Sequence, residues 1–270
     1  MTSQEKRAHG VTPGLSQDYV TRTANQQAAF VLPYLHSEMN LLDVGCGPGT
    51  ITVGLAKVVA PGHVVGVDLD SMHIEAARTL AAEQGVTNVT FQLGSALSLP
   101  FDDGRFDVAF ENNVFVHLSL RALQAAKEVH RVLKPQGIFA ARDADAESDV
   151  WGNLNDSIKQ LDKWFIAWHQ SRASDITLGK RLPTILRQAG FTDTVKSVSA
   201  DTKGDPEGTR SHARITTFLL DGPFGQAIVD NGWADRSTVE HLKESIRAWG
   251  EHPDAFFANV HVEVIGWKSG

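Results

Sequence analysis

The stretch Leu41-Leu42-Asp43-Val44-Gly45-Cys46-Gly47-Pro48-Gly49, running into Thr50-Ile51-Thr52-Val53, decides how the rest of the chain reads. Leu41 to Val44 is a short apolar strand that ends on glycines. Residues 50–59 have a helical pattern, stopped by Pro61-Gly62. Glycines at a strand-to-helix turn reach positive φ at no Cβ cost and let a ligand lie against bare backbone. The helix start that follows favours a carboxylate or phosphate nearby. The spacing is G-x-G-x-G, and Thr50 stands where a dinucleotide loop, G-x-G-x-x-G/A, has its third glycine. No Gly-Lys-Ser/Thr follows, which excludes a P-loop.

The same alternation repeats outward from this turn. Residues 64–67 are a second buried strand, and Asp70 or Ser71 can cap the helix after it, with Gly85 as its C-cap. Residues 89–93 and 106–110 are the third and fourth strands, separated by an Asp102-Asp103-Gly104 turn. A helix from Ser119 to Leu133 stops at Lys134-Pro135-Gln136-Gly137, and residues 138–141 are a fifth strand. Five short apolar strands joined by helices predict a parallel sheet with right-handed crossovers and helices on both faces. Upstream, residues 1–16 read as a loose arm and 17–35 as one or two helices. Downstream, 149–172 carries Trp151, Trp164, Phe165 and Trp168 at near-helical spacing, 194–202 reads as a strand, 203–210 as a polar loop, and 211–250 as two or three helices broken at Gly222-Pro223 and Gly232. The tail alternates Val260, Val262 and Val264, the pattern of a half-exposed strand.

Composition removes several classes. The 270 residues carry 25 Lys+Arg against 32 Asp+Glu, a net charge of −7, which argues against a duplex-binding surface. The longest apolar runs fall short of the ~20 residues a membrane helix needs, and the N-terminus has no signal-peptide core. The single cysteine, Cys46, excludes an intramolecular disulfide and a multi-cysteine zinc site and suits a reducing, cytoplasmic setting. No metal site is expected.

LLDVGCGPG resembles the first motif of the class I S-adenosylmethionine (SAM)-dependent methyltransferases. VVGVDLD (64–70), LGSALSLPFDDGRFDVAF (93–110) and EVHRVLKPQGIF (128–139) resemble the family's later motifs in the same order. The resemblance covers about residues 30–142 and is nearest the small-molecule branch that includes the ubiquinone/menaquinone-type methyltransferases. It implies a Rossmann-like, doubly wound α/β fold with a seven-stranded, mostly parallel sheet whose last strand is antiparallel. The chain then reads as one domain, 1–270, with a cofactor core at 36–148. Helical insertions at 149–178 and 206–255 form a substrate lid.

The resemblance also implies roles. Gly45, Gly47 and Gly49, with Cys46 in the same loop, pack against the methionine and ribose of SAM. Asp43 holds the cofactor's ammonium, directly or through water. Asp68 accepts both ribose hydroxyls; Asp70 is the rival, better placed as a helix cap. A carboxylate suits that role because its two oxygens can take two O–H donors. Leu69 lies against adenine. Ser95 stands where the family often has an aspartate for the adenine amino group, and the backbone of Ala96 or Leu97 faces the ring. Asn112 meets the methionyl end, while Glu111 is either a cofactor ligand or a strand-end carboxylate. Tyr19 and Arg22 close over the methionine carboxylate or pack as ordinary residues.

Methyl transfer to an O, N or C nucleophile needs alignment and, for some acceptors, a base. His117 and Asp143 are the candidates; a histidine in that place in the family often only packs and orients. Arg142 could bind an anionic acceptor or form an internal ion pair. Trp151 and Trp168 are candidate acceptor contacts within a set of aromatics that also reads as core. His169 and His212 read as structural. Nucleic-acid methylation is not expected: Asp-Pro-Pro-Tyr is missing, and cytosine-C5 chemistry needs a cysteine that Cys46, inside the loop, cannot supply. The partner is a small, partly apolar molecule. A non-catalytic SAM-binding regulator and a nicotinamide oxidoreductase are the competing classes, and Thr50 counts against the second.

Overall fold

The computed structural model describes residues 21–270. The chain divides into two compact units, and three of the divisions between described residues fall inside strands. Among the described residues, one unit holds 21–143, Leu178–Val198 and Val262–Gly270; the other holds Ala144–Thr177 and Ser199–His261. Tyr19 lies outside the described residues. No described helix is long and apolar enough to cross a membrane.

The first unit is built on β1 (Leu41–Val44), α1 (Thr50–Val59), β2 (Val64–Asp68), α2 (Ser71–Glu83), β3 (Val89–Leu93), β4 (Phe106–Asn112), α3 (Ala122–Val132) and β5 (Leu133–Ala144). Strands β3-β2-β1-β4-β5 lie in that order, and all four of these pairings are parallel. Register brings the carboxyl ends together: Val44 pairs with Val67 on one side and Glu111 on the other. β1 is buried along its whole length, as a strand covered on both faces must be. α3 turns Ala122, Ala125, Ala126, Val129 and Val132 inward, a stripe at helical period. α5 (Leu182–Ala189) follows the same logic and ends on Gly190 at φ 109°.

The helical unit contains β6 (Val150–Gly152), α4 (Asp156–Ser171), α6 (Pro206–Asp221), α7 (Pro223–Asp230) and α8 (Arg236–Gly250). β7 (Phe191–Lys203) pairs with β8 (Phe256–Lys268), and β6 runs antiparallel to Phe256–Ala258 of β8. Among the described residues the sheet therefore has eight strands where seven were expected; the addition is the three-residue β6. Trp151 sits on β6 and not on a helix with Trp164 and Trp168.

Two other expectations change. The polar stretch 203–210 is half helix, because Asp205 accepts from the N–H groups of Glu207 (3.0 Å) and Gly208 (2.9 Å), with Pro206 opening α6. The tail is not half-exposed in the expected sense. His261 and Glu263, the polar residues between the valines, are buried, and Val264 is fully buried too. Glu263 accepts from Ser197 Oγ at 2.6 Å, which gives the inward carboxylate a partner.

Candidate active site

The loop between β1 and α1 crosses in left-handed backbone, with Gly45, Gly47 and Gly49 at φ 73°, 52° and 81°. The N–H groups of Gly45 and Cys46 both donate to Val67 O, at 2.8 and 2.9 Å, so the loop is pinned to the end of β2. A Cβ on Gly45 would lie 2.3 Å from Val114 Cγ2, whereas one on Gly47 would meet nothing within 4 Å. The first glycine lets protein pack on protein; the second leaves bare backbone facing open space.

Asp68 ends β2 beside this opening. Its Oδ2 accepts from Gly47 N–H at 2.9 Å, and its Oδ1 accepts from Asp70 N–H at 2.9 Å and lies 3.4 Å from His73 Nδ1. Burial pushes its pKa up, but the hydrogen bonds from His73, Asp70 and Gly47 outweigh it and hold the carboxyl below its ordinary range. Asp68 is thus ionised, and its oxygens keep lone pairs for further donors. Asp70 accepts from Met72 N–H at 2.8 Å and caps α2, the place expected for it.

Asp43 is buried, with Thr52 Oγ1 donating to its Oδ2 at 2.5 Å. Burial lifts its pKa to about 7, against the lowering from Thr52. Sequence reasoning missed Thr52, although it stands one turn into the helix that the loop starts. Burial raises the Cys46 thiol far above its usual range, aided by the charges of Asp43 and Asp68, so it is inert at this site. Leu69 and Ala96 are half-buried. Ser95 Oγ accepts from Leu97 N–H at 3.2 Å and so shapes its own turn.

Asn112 ends β4. Its Oδ1 accepts from Arg142 Nη1 at 2.8 Å, while its Nδ2 is buried with no acceptor among the described residues. Arg142 is only 1% exposed, and its Nε lies 3.6 Å from the Glu263 carboxylate. It stands as an internal ion pair and not as a group open to an anionic acceptor. Asp143 likewise has no exposed surface, and its Oδ1 accepts from Val116 N–H at 3.1 Å. It supports the segment after β4 and does not present a base to an acceptor. His117 lies in that segment, half-buried.

The structure therefore gathers Asp43, the glycine loop, Asp68 and Asn112 at the carboxyl ends of neighbouring strands, where open α/β sheets bind ligands. It does not bring Trp151 and Trp168 together. Within the helical unit, Trp151 packs with Phe257 (4.5 Å between ring centroids), His212 and Trp249 (5.1 Å each). Trp168 packs on Phe224 (5.3 Å) under Arg172. His212 is tied into the first cluster, stacked 4.3 Å from Phe257, and burial lowers its pKa to about 4.

A family model described as a methyltransferase domain matches residues 35–190. The chain belongs to the methyltransferase domain family. It is 28% identical over 281 residues to a probable methyltransferase, ltbC, of Aspergillus luteorubrus, covering 92% of each chain. It is 31% identical over 170 residues to the demethylmenaquinone methyltransferase of Lactococcus lactis, covering 57% of this chain and 66% of that one. The fold is similar to that of Haemonchus contortus phosphoethanolamine N-methyltransferase 2 in complex with S-adenosyl-L-methionine, with TM-score 0.52, 17% identity, and coverage of 91% of this chain and 53% of that one. The protein is a SAM-dependent methyltransferase. Its residues fit the cofactor: bare backbone at Gly47, an ionised Asp68 with lone pairs to spare, and a buried donor on Asn112 without a partner.

If Asp68 holds the ribose hydroxyls, Asp68→Ala weakens SAM binding in calorimetry by at least about tenfold, or about 1.4 kcal/mol. Asp70→Ala, which removes only the cap, costs less than about threefold. The reverse ranking transfers the ribose to Asp70.

Proposed function

We propose that this methyltransferase acts on a small, partly apolar molecule in the cytoplasm, at an O, N or C nucleophile. The observation that carries the reading is the Gly47–Asp68 cradle, which suits a free nucleoside cofactor and leaves acceptor choice to other segments. The demethylmenaquinone methyltransferase relative supports a small acceptor. The net charge of −7 disfavours a nucleic-acid substrate. The aromatic-rich helical segments 149–178 and 206–255, read as a substrate lid, select the acceptor, with Trp151 and Trp168 among its contacts.

When bound, SAM supplies an electrophilic methyl group on a sulfonium. The chain's own residues orient and hold it. Gly45, Gly47 and Gly49 lie along the methionine and ribose, and Asp68 takes the ribose hydroxyls. Leu69, Ser95 and Ala96 border the adenine. Asn112 Nδ2 donates at the methionyl end, and Asp43 takes the ammonium directly or through water. His117 is the residue that accepts a proton from an acceptor that must lose one.

Two experiments test this. Incubating the enzyme with SAM carrying a deuterated methyl and a panel of phenols, quinols, amines and enolisable ketones should give at least one product heavier by a labelled methyl. His117→Asn should slow that turnover without changing affinity for the product S-adenosylhomocysteine (SAH). SAM binding with no transfer to any member would instead favour a non-catalytic SAM-binding regulator. The second concerns Asp43, whose folded pKa of about 7 lies above its unfolded value. An arriving ammonium favours the carboxylate and lowers that pKa. Calorimetry in buffers of different ionisation enthalpy should therefore show release of about half a proton on SAM binding at pH 7, giving way toward pH 9 to proton uptake by the cofactor's own amine, which titrates at about 8 when free. No release at pH 7 would remove Asp43 from the ammonium site.

A further inference from the structure

Glu111 and Asp143 are the penultimate residues of the adjacent parallel strands β4 and β5, and neither has any exposed surface. Each holds one turn of the segment that follows β4. Glu111 Oε2 accepts from Val114 N–H, and Asp143 Oδ1 accepts from Val116 N–H, both at 3.1 Å. The remaining oxygens, Glu111 Oε1 and Asp143 Oδ2, are buried and receive no donor among the described residues. Yet the two carboxyls lie within hydrogen-bonding reach of each other.

Two buried carboxyls in contact, each with an oxygen that lacks a donor, need a proton between them; two buried ionised carboxylates in contact do not coexist. The nearby cation, Arg142, donates to Asn112 and lies beside Glu263, and its charge favours an ionised Asp143 without overcoming the burial of that carboxyl. Burial first, and then the neighbouring charge, lift Glu111 well above the ordinary carboxylate range, and burial lifts Asp143 as well.

The segment they hold is the one that touches the cofactor loop. Val114 fills the space where Gly45 lacks a Cβ. Asn113 and Ser119, both at positive φ, bracket the turn between them. We propose that Glu111 and Asp143 share one proton and act as a positioning pair. It sets residues 113–118 and, through Val114, keeps the glycine loop in the geometry that SAM binding requires.

The chemistry makes a sharp test in the full-length protein. Glu111→Gln gives Val114 N–H its acceptor and offers a permanent N–H to Asp143. Asp143→Asn does the same in the other direction. The double variant sets two NH2 groups face to face with no acceptor between them. SAH affinity, read by calorimetry, should stay within about threefold of wild type in each single variant and fall at least about tenfold in the double. Val114→Ala, which keeps the pair and removes the packing, should weaken SAH several-fold without unfolding the protein. The wild-type infrared spectrum at neutral pH should hold a protonated-carboxyl C=O band that Glu111→Gln removes. A missing band, single variants as weak as the double, or a double variant that binds like the singles would each overturn the proposal. A double variant that fails to fold while both singles fold and bind supports the shared proton, and Val114→Ala then decides the link to the cofactor.

Discussion

Everything at the site depends on one close approach: Gly45 has no room for a side chain because Val114 occupies it. That contact joins the loop after β1 to the segment after β4, and two hydrogen bonds to Val67 O join the same loop to β2. Three strand ends are thereby fixed to one another, one pair through the Val114 side chain and the other through backbone hydrogen bonds. The next glycine, at 47, is left open on the ligand side and is held by Asp68 at 2.9 Å. A site whose walls are strand ends and a pinned loop loses little entropy when a ligand arrives, which is what preorganisation means in energetic terms.

Around this contact the buried polar groups divide by task. Arg142 spends its charge on Asn112 and Glu263, inside the sheet, and this leaves the amide nitrogen of Asn112 as the buried donor still seeking an acceptor. Asp68 stays ionised because three donors converge on it. Asp43, with one hydroxyl partner, sits near neutrality in its titration, so a cation beside it changes its charge. The ordering follows burial first, which is complete at Asp43, and then the number of donors each carboxylate receives.

Much of this was legible along the chain, and the reasons differ by residue. β1 to β3 announce themselves as apolar runs ended by Gly or Asp, and Asp70 as a cap is written in its position before Ser71-Met72. Thr52 escaped notice because its partnership with Asp43 exists only once the glycine loop doubles back. Arg142 was readable as either an acceptor contact or an ion pair, since Glu263 is distant in sequence. In the tail, the alternating valines pointed to the wrong inner face: His261 and Glu263 go inward because the sheet supplies them with partners, and alternation counts apolar residues, not partners. Asp205-Pro206-Glu207 was a helix start in plain view, masked by the polarity of its neighbours.

The central claim is that the cofactor rests on the carboxyl ends of β1, β2 and β4. Hydrogen–deuterium exchange with and without SAH tests it most directly. Added SAH should slow exchange in peptides covering residues 43–50, 68–70, 95–97 and 112–117. Protection confined to 144–177 and 199–261, with the glycine loop exchanging as before, would contradict it.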